Sequence, residues 1–529
     1  MAHDRPPRIF GIEGTAWAAS AAVYDAADGS VVMETDPFRP PSGGIDPSEA
    51  AAHMAEAMPT VVQRVFDEID GPIDAVAFSR GPGLGPCLRV TAASARSLAG
   101  RLSVPLIGVN HMVAHAEVGR ILGDLEDPIA LNASGANAHV LGFREGRYRV
   151  LGETMDTGIG NALDKFARHL GWRHPGGPRI ERTAAAGDYV DLPYVVKGMD
   201  LSFSGIVSAG KELIEAGVPV EDVCCGLQET MFAMLTEITE RALALTHRDE
   251  LVVGGGVAHN TRLREMLEAM VEARGGTIYI PPAEFRGDNA GMIAITGAAM
   301  FEADAHIEIE RSTVTPDARP DDIPVPWRES PPIRYGGADD LEHGAEATIE
   351  PYGADWISKT RVPKPYRHPH LDDRLRRART VQEARLLHAA RRVGVPTPTI
   401  YDIDLMMHTI VLAEVGEADL RDRLTREAVT TVGAHLGRLH LAGIVHGDPT
   451  VRNVRVGTDR VYLIDFGLGY HSDDVEDWAM DLHVFEQSLA DVAPAVDDYS
   501  GALIEGYLTT GDKDVLDRLA QIEGRGRYR

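Results

Sequence analysis

The sequence predicts an α/β protein built from two domains, and three observations lead to this expectation. Short apolar segments that end in Gly, Ser or Asn alternate with helical stretches through the first part of the chain. Six prolines between residues 316 and 332 interrupt any regular pattern. The remaining stretch of about 200 residues is long enough for a separate folded unit. We therefore expect one domain over residues 1–325 and a second over residues 326–529.

The strand-like segments of the first part follow one another in a regular order. They read RIFGIEGT, AVAFSR, PLIGVN, PIALNASG and ELVVGGGV. Between the last two, NALDKFARHLGW has Leu163, Phe166 and Leu170 at helical spacing. Ligands of open α/β sheets bind beyond the carboxyl ends of the strands, so the glycine turns that end these segments are expected to mark the site.

Composition places the chain among ordinary globular proteins. It has 529 residues, of which 44% are hydrophobic and 25% charged, and it contains no apolar run near the ~18 residues of a membrane span. Only Cys87, Cys224 and Cys225 are present, which fits a reducing compartment. The first residues have no apolar core of signal-peptide length. We expect a cytoplasmic protein that does not bind a membrane.

The charge balance is strongly acidic. Asp and Glu number 80 against 52 Lys and Arg, for a net charge of −28. Such a surface repels nucleic acid unless basic residues cluster locally. Only six of the basic residues are lysines. Many carboxylates with few lysines indicate a halophilic source as a hypothesis, with a GC-rich genome as the alternative.

Three glycine turns follow predicted strands: GIEGTAW (11–17), NASGANAHV (132–140) and VVGGGVAHN (252–260). Glycine and small hydroxyl residues let backbone N–H groups approach phosphate oxygens closely. One such turn is weak evidence, because glycine-rich turns are common. Three in one α/β domain predict a phosphate-bearing ligand.

Two histidines, His111 and His115, occur in NHMVAH. On a helix this spacing places both imidazoles on one face, as a divalent metal requires. Asp288 in FRGDNAGM offers a carboxylate, and two histidines with one carboxylate leave open positions suited to iron or another divalent metal. The apolar Met112 and Val113 disfavour a zinc protease, which carries glutamate beside its first histidine.

Five ordered motifs resemble the universal tRNA threonylcarbamoyladenosine transferase family over roughly residues 8–305. They are GPGLGPCLRV, NHMVAHAE, NALDKFARHLGWRHPGGPRIE, GGGVAHNTRLRE and FRGDNAGMIA. The resemblance implies a duplicated fold of the actin, sugar kinase and Hsp70 type. It also implies transfer of a threonylcarbamoyl group from threonylcarbamoyl-AMP to N6 of the adenosine next to the anticodon, in tRNAs that read codons beginning with A.

The same resemblance assigns site residues. It implies one divalent metal on His111, His115 and Asp288, with iron preferred over zinc and Asn132 as a less certain further ligand. Asn132 stands where archaeal and eukaryotic relatives usually have tyrosine, and Ala136 replaces the second glycine of SGGN. The residues implied to contact threonylcarbamoyl-AMP are Asn132, Ala133, Ser134, Gly135, Ala136, Asp164, Gly177, Glu181 and Asn260.

The second part has the spacing of a kinase. Asp448 and Asn453 are five residues apart, as in a kinase catalytic loop, and Asp465 opens a DFG after an apolar segment. Phosphoryl-transfer chemistry assigns Lys359 to the ATP phosphates and Glu383 to its orientation. Asp448 would accept a hydroxyl proton, and Asn453 and Asp465 would hold Mg²⁺. The residues expected to cover the phosphates are Gly344, Ala345, Glu346 and Ala347.

These features, with YRHPHLD and the terminal GRGRYR, resemble the small atypical PRPK-type kinase of the KEOPS complex, which is fused behind the transferase in some archaea. The resemblance implies a small α+β domain whose ATP hydrolysis supports the transferase, with serine/threonine phosphorylation of proteins as an alternative. By analogy the partners are tRNA, a small dimerising subunit on the transferase and another subunit on the kinase, while a separate enzyme makes threonylcarbamoyl-AMP.

Two basic segments are candidates for tRNA contact. From Lys359 to Arg379 there are eight basic and two acidic residues, although a solvated basic helix explains residues 374–379 equally well. The tail with Arg525, Arg527 and Arg529 is the stronger candidate.

Two other functions remain open at this point. The first domain could be a carbohydrate kinase or an Hsp70-like ATPase, but that interpretation leaves His111 and His115 without a role. Alternatively, the kinase part could be a regulatory scaffold that only binds ATP.

Overall fold

The computed structural model describes residues 5–39, 45–135, 137–329, 346–490 and 496–524. The predicted site residues outside these ranges are Ala136, Gly344, Ala345, Arg525, Arg527 and Arg529. The chain divides into two compact units, Met1–Arg334 and Tyr335–Arg529, which we call the transferase unit and the kinase unit after the families that their sequences resemble.

The transferase unit contains twelve strands and ten helices within its described residues. The strands are β1 (Arg8–Glu13), β2 (Ala18–Asp25), β3 (Ser30–Pro37), β4 (Ala75–Gly81), β5 (Leu106–Asn110), β6 (Ile129–Ala133), β7 (Ala138–Arg144), β8 (Arg147–Glu153), β9 (Val196–Lys197), β10 (Asp200–Leu201), β11 (Glu250–Gly254) and β12 (Thr277–Tyr279). The helices are α1 (Pro47–Glu68), α2 (Gly85–Leu102), α3 (His111–Leu122), α4 (Ile159–His169), α5 (Gly177–Ala184), α6 (Ser204–Glu215), α7 (Val220–Thr246), α8 (Thr261–Ala273), α9 (Ala283–Arg286) and α10 (Ala290–Glu302).

Two five-stranded sheets of this unit have the same topology. Their strand orders are β3-β2-β1-β4-β5 and β8-β7-β6-β11-β12. In each sheet the first three strands in the chain pair antiparallel, and the last two add parallel to the first. The repeated order confirms the predicted duplicated fold. The parallel strands β1, β4, β5, β6 and β11 are the five segments that the sequence singles out.

Helices pack against these sheets, and some of them are largely buried. Every residue of α7 from Gly226 to Leu243 is buried, which is the mark of a helix inside a core. On the first sheet α10 packs closely against β1, and Gly11 of β1 makes this approach feasible. A Cβ at Gly11 would lie 2.4 Å from the carbonyl oxygen of Ala290. The loop before α10, which carries Asp288, is thereby held close to the end of β1.

The kinase unit begins with an antiparallel sheet and continues mainly in helices. Its strands are β13 (Ala347–Pro351), β14 (Trp356–Arg361), β15 (Ile400–Asp404), β16 (Thr409–Ala413), β17 (Ala418–Asp419), β18 (Ile444–Val445), β19 (Val454–Val456), β20 (Val461–Leu463) and β21 (Tyr470–His471). Its helices are α11 (Pro369–Arg392), α12 (Arg426–Leu441), α13 (Val475–Ala490), α14 (Val496–Tyr507) and α15 (Asp514–Gly524). The four-stranded sheet has the order β13-β14-β16-β15, and α12 to α15 follow it around an apolar core.

In the described ranges no helix combines the length and apolar character that a membrane crossing requires.

Candidate functional site

Helix α3 presents the two predicted metal-binding histidines at its first turns. Asn110 caps the helix, since its side chain accepts hydrogen bonds from the N–H groups of Met112 and Val113. The cap starts the helix at His111, so the rings of His111 and His115 lie on one face with centroids 4.7 Å apart. The expected helical placement of the pair is thus observed.

Asp288 completes the cluster from the loop before α10. Its Oδ1 lies 3.3 Å from Nε2 of His111 and 3.5 Å from Nε2 of His115. Asn289, the next residue, caps α10 by accepting a hydrogen bond from the N–H of Met292. One ligand atom from each of the three predicted residues falls within 4.8 Å of the others, which is a spacing that a metal ion could bridge.

Glu13 is a fourth ionisable residue in this cluster, and the sequence did not single it out. It ends β1 with no solvent exposure, and its Oε2 lies 3.2 Å from Nδ1 of His111. Burial opposes a charge on His111, but Glu13 and Asp288 together raise the pKa of His111 to about 10. Burial also lowers the pKa of His115, while His111 and His115 hold the pKa of Asp288 well below its usual range despite burial. The available signal was a carboxylate at the end of an otherwise apolar strand.

Asn132 lies next to the same cluster. It sits in β6, is 3% exposed and borders, with His115, a gap too narrow for a water molecule. Its Nδ2 is 3.5 Å from Sδ of Met112, but its buried Oδ1 has no hydrogen-bond partner among the described residues. Neither ring nitrogen of His115 makes a hydrogen bond with a described residue. These unpartnered buried atoms indicate a place for a polar ligand or a cation.

The second and third glycine turns meet beside this cluster. Ala133 ends β6, and Gly255 follows β11 with a φ of +89°. A Cβ at Gly255 would be 2.4 Å from the carbonyl oxygen of Ala133 and 2.5 Å from Oδ1 of Asn132. The close approach therefore requires glycine, and it brings the ends of two neighbouring strands together.

The turn after β6 also contacts the start of α4. The N–H of Gly160 donates to the carbonyl oxygen of Ser134 at 3.2 Å, and the N–H of Asn161 donates to that of Gly135 at 2.9 Å. Ser134 closes its own turn through a 2.7 Å hydrogen bond from its Oγ to the carbonyl oxygen of Asn137.

The remaining predicted ligand residues connect α4, α5 and α8. Oδ1 of Asp164 accepts a 2.6 Å hydrogen bond from the N–H of Gly176, directly before Gly177. Oε1 of Glu181 accepts a 2.7 Å hydrogen bond from the N–H of Thr261, directly after Asn260. Asn260 caps α8 and donates to Oε1 of Gln228 at 3.0 Å. These hydrogen bonds link α4 to the start of α5 and α5 to the start of α8, so the predicted ligand residues belong to connected helices.

The kinase unit contains a second polar cluster, centred on Lys359 of β14. Its Nζ donates to Oε1 of Glu383 at 2.7 Å and to Oδ1 of Asp465 at 2.5 Å. Burial disfavours a charged lysine, but Asp465 and Glu383 raise the pKa of Lys359. Asp465 has a φ of +59°, a left-handed conformation uncommon outside glycine. Three residues that the sequence assigned to ATP and Mg²⁺ therefore meet.

Asp448 and Asn453 lie together in the loop between β18 and β19. Nδ2 of Asn453 donates to Oδ2 of Asp448 at 2.9 Å. The N–H of Ile464 donates to the carbonyl oxygen of Asn453 at 3.0 Å, which places the loop next to Asp465. Asp481 of α13 holds the preceding segment, since its carboxylate accepts hydrogen bonds from the N–H groups of His446 and Gly447. Sequence reasoning missed Asp481, which belongs to no motif.

Glu346 and Ala347 precede and begin β13. Oε2 of Glu346 lies 3.1 Å from Nη1 of Arg361, and its Oε1 lies 3.0 Å from Nη1 of Arg379. Ala347 pairs with Arg361 in the sheet. The structure therefore places Glu346 in an ion-pair network.

The duplicated sheets with their histidine and carboxylate cluster define a transferase-type unit, and the lysine and aspartate cluster defines a kinase-type unit. The profile of the tRNA N6-adenosine threonylcarbamoyltransferase (TsaD) family matches residues 29–295. The profile of the lipopolysaccharide kinase (Kdo/WaaP) family matches residues 403–507. The two profiles fall on the two units in the predicted order.

Curated relatives match over nearly the whole chain. Proteins named "Probable bifunctional tRNA threonylcarbamoyladenosine biosynthesis protein" are 60% identical in Halobacterium salinarum and 58% identical in Natronomonas pharaonis. The matches cover 98% of this chain in both cases, and 98% and 99% of the relatives. A crystal structure of T. kodakarensis HypF is 16% identical, with a TM-score of 0.43 over 57% of this chain and 49% of that chain.

The chain therefore belongs to the family of bifunctional tRNA threonylcarbamoyladenosine biosynthesis proteins. It is an enzyme that combines a metal-dependent tRNA-modifying transferase with an ATP-binding kinase domain. The haloarchaeal relatives support the halophilic source that the charge composition predicts.

Proposed function

We propose that the cluster of His111, His115 and Asp288 is the reaction centre for threonylcarbamoyl transfer. The observation that carries this proposal is the position of the cluster beside the glycine turns that end β6 and β11. The N6 amine of the tRNA adenosine attacks the carbonyl carbon of threonylcarbamoyl-AMP. The bond between that carbon and the phosphate oxygen breaks, AMP leaves, and the amine loses a proton.

The residues of the cluster fit a divalent metal. Nδ1 of buried His115, which has no partner among the described residues, and the convergence of three ligand atoms support this assignment. His111, His115 and Asp288 would hold the ion, with Oδ1 of Asn132 as a further metal ligand. A bound metal would polarise the acyl oxygen for attack. Two histidines and one carboxylate favour iron, with zinc as the alternative.

The chain would position threonylcarbamoyl-AMP through the turn after β6 and the connected helices α4, α5 and α8. Residues 133–136 would receive its phosphate, because small residues let backbone N–H groups come close. Asp164 and Glu181 would accept hydrogen bonds from hydroxyl groups of the ligand while keeping their bonds to Gly176 and Thr261. Gly177 and Asn260 complete this part of the site.

In the kinase unit the proposed reaction is ATP hydrolysis that supports the transfer. Lys359 would pair with the ATP phosphates and is oriented by Glu383, while Asn453 and Asp465 would hold Mg²⁺. Asp448 would orient water or accept a hydroxyl proton, and residues 344–347 would cover the phosphates.

The remaining proposals concern organisation. We propose domain limits at 1–325 and 326–529 and a cytoplasmic location. The other KEOPS subunits would bind one to each unit, and the tail with Arg525, Arg527 and Arg529 would contact tRNA.

Nucleoside mass spectrometry tests the transfer. Unmodified tRNA is incubated in high salt with threonylcarbamoyl-AMP, ATP, Mg²⁺, the partner subunits and wild type, His111→Ala or the exposed control His306→Ala. We expect threonylcarbamoyladenosine from wild type and the control only. No product from wild type would reject the proposed transfer and reopen the carbohydrate kinase and Hsp70-like alternatives, whereas full activity of His111→Ala would reject the role of the cluster.

Asp448→Ala distinguishes an active kinase unit from a regulatory scaffold. If ATP hydrolysis supports the transfer, this variant should bind ATP and tRNA but lose hydrolysis and multiple-turnover modification. Asp459→Ala, at an exposed position of the same unit, serves as the control. Unchanged modification by Asp448→Ala would favour the scaffold.

A further inference from the structure

The exposed side of α11 reverses the charge balance of the chain. Residues 374–392 include seven arginines, and their single acidic residue, Glu383, is 1% exposed, while the exposed Asp373 just before them lies 3.0 Å from Nε2 of His408. The whole chain has 80 acidic and 52 basic residues. We propose that the exposed side of α11 is a docking surface for the sugar-phosphate backbone of tRNA. This inference rests on the proposed action on tRNA.

The structure separates the basic residues of this region into two groups. The residues of the first group form ion pairs with carboxylates inside the kinase unit. Its members include Lys359 and Arg361 on Glu383, Arg367 and Arg376 on Asp372, and Arg379 on Glu346. Most of the basic stretch 359–379 is therefore neutralised locally and contributes little charge for RNA.

The second group is exposed and forms a row that we call the α11 stripe: Arg377, Arg385 and Arg392. Among the described residues, none forms a side-chain hydrogen bond or ion pair with these three guanidinium groups. They are eight and seven residues apart, which is close to two helical turns in each case. The stripe therefore runs along one side of α11 for about 22 Å. Exposed His388 lies on the same side.

The α11 stripe faces away from the ATP-binding cluster. Glu383 precedes Arg385 by two residues, and two residues rotate a helix by about 200°, so the two side chains point to opposite sides. Glu383 holds Lys359 at 2.7 Å on the inner side. Substitutions in the stripe can thus be tested without disturbing the lysine and glutamate pair.

The charge pattern favours RNA over an acidic protein as the occupant. Arginine binds phosphate oxygens with two parallel hydrogen bonds and keeps its charge at any physiological pH. A straight row of separated guanidinium groups suits a regularly charged backbone. The rest of this acidic chain repels RNA, so a local row of exposed arginines directs where the RNA can lie, and exposed Asp373, one turn before Arg377, pairs with His408.

The test uses the full chain and fluorescently labelled tRNA. The triple variant Arg377→Gln, Arg385→Gln, Arg392→Gln is compared with a control triple, Arg101→Gln, Arg460→Gln, Lys513→Gln, which removes the same charge from exposed positions elsewhere. Binding is measured over a series of KCl concentrations. We expect the stripe variant to bind at least tenfold more weakly than the control, and its slope of log K against log salt to fall by about 3.

A second variant separates charge from folding. The corresponding triple Arg→Lys variant should recover most of the binding, and ATP hydrolysis without tRNA should equal that of wild type in both stripe variants. Equal binding by the Gln triple and the control would overturn the inference and leave an acidic protein as the occupant. Weak binding by the Lys triple, or an unchanged salt slope, would overturn it as well.

The two proposals can fail separately. If wild type modifies tRNA while the Gln triple binds like the control, only the α11 stripe is wrong. If wild type forms no modified nucleoside, the proposed transfer is wrong, and the comparison of binding still decides the role of the stripe.

Discussion

Oε2 of Glu13 lies 3.2 Å from Nδ1 of His111, although 98 residues separate them in the chain. Because Nε2 of the same ring points to Asp288, Glu13 determines which nitrogen is left for a metal. This contact joins the end of β1 in the first sheet to the helix that carries both histidines.

Glu13→Gln should weaken metal binding. The variant keeps the shape of the side chain but removes the charge that favours a proton on Nδ1, and loss of such partners typically costs 10–100-fold in metal affinity. Competition between the protein and a chelator for Fe²⁺ or Zn²⁺ would measure the change. Glu34→Gln, a partly exposed position on β3, is the matched control. Equal affinities of the two variants would show that Glu13 does not support the site.

Gly11→Ala should destabilise the transferase unit. The new Cβ would lie 2.4 Å from the carbonyl oxygen of Ala290, so α10 must move, at a cost of about 1–3 kcal/mol. Gly100→Ala in α2 is the control, because its Cβ meets no atom within 4 Å, and it should stabilise by about 0.5–1 kcal/mol. Thermal unfolding in high salt measures both. If Gly11→Ala unfolds with wild-type stability, the close approach of α10 is wrong.

Lys359→Met should abolish ATP hydrolysis. The apolar side chain retains much of the packing of the stem but leaves the carboxylate of Asp465 without its 2.5 Å partner. ATP turnover and tRNA binding are measured side by side, with Lys513→Met, an exposed lysine, as the control. We expect loss of turnover with tRNA binding retained. Turnover at the wild-type rate would contradict the assigned role.

The stability of the kinase unit should fall as the pH decreases from about 6.5 to 4. His435 of α12 is 5% exposed, and burial lowers its pKa to about 4. His435 of the folded unit therefore stays neutral at pH values where the same residue of the unfolded chain, below pH 6.5, binds a proton. The stability that this difference contributes is fully present above pH 6.5. Roughly 3 kcal/mol of it is lost as the pH falls toward 4.

His435→Gln tests this pH dependence. Nε2 of His435 lies 3.1 Å from the carbonyl oxygen of Val461, and glutamine can donate the same hydrogen bond without titrating. Denaturant unfolding at several pH values should show a flatter profile for the variant. Since burial also lowers the pKa of His483 to about 4, some dependence should remain. Identical profiles for variant and wild type would contradict the assignment to His435.

Much of the site could be predicted from local sequence. The spacing of His111 and His115 defines a helix face, and the spacing of Asp448 and Asn453 defines a kinase-type loop. The apolar runs of β1, β4, β5, β6 and β11 are also readable, because parallel strands buried on both faces are continuous in hydrophobicity.

The antiparallel strands were harder to predict from the sequence. β2 is rich in alanine, and β7 and β8 contain glycine and charged residues, so none has a strong local strand preference. Their place in the sheets depends on pairing with β1 and β6. The repeated strand order of the two sheets became visible only in three dimensions.

The sequence by itself determined the family, the two units and most of the side chains that meet, since these depend on residue types at short spacing. Tertiary structure alone decided that Glu13 supports His111, that Asp481 holds the loop before Asp448, and which arginines of α11 remain exposed. Each of these facts depends on contacts between distant segments, and burial or pairing there changes the charge that a side chain can offer to a ligand.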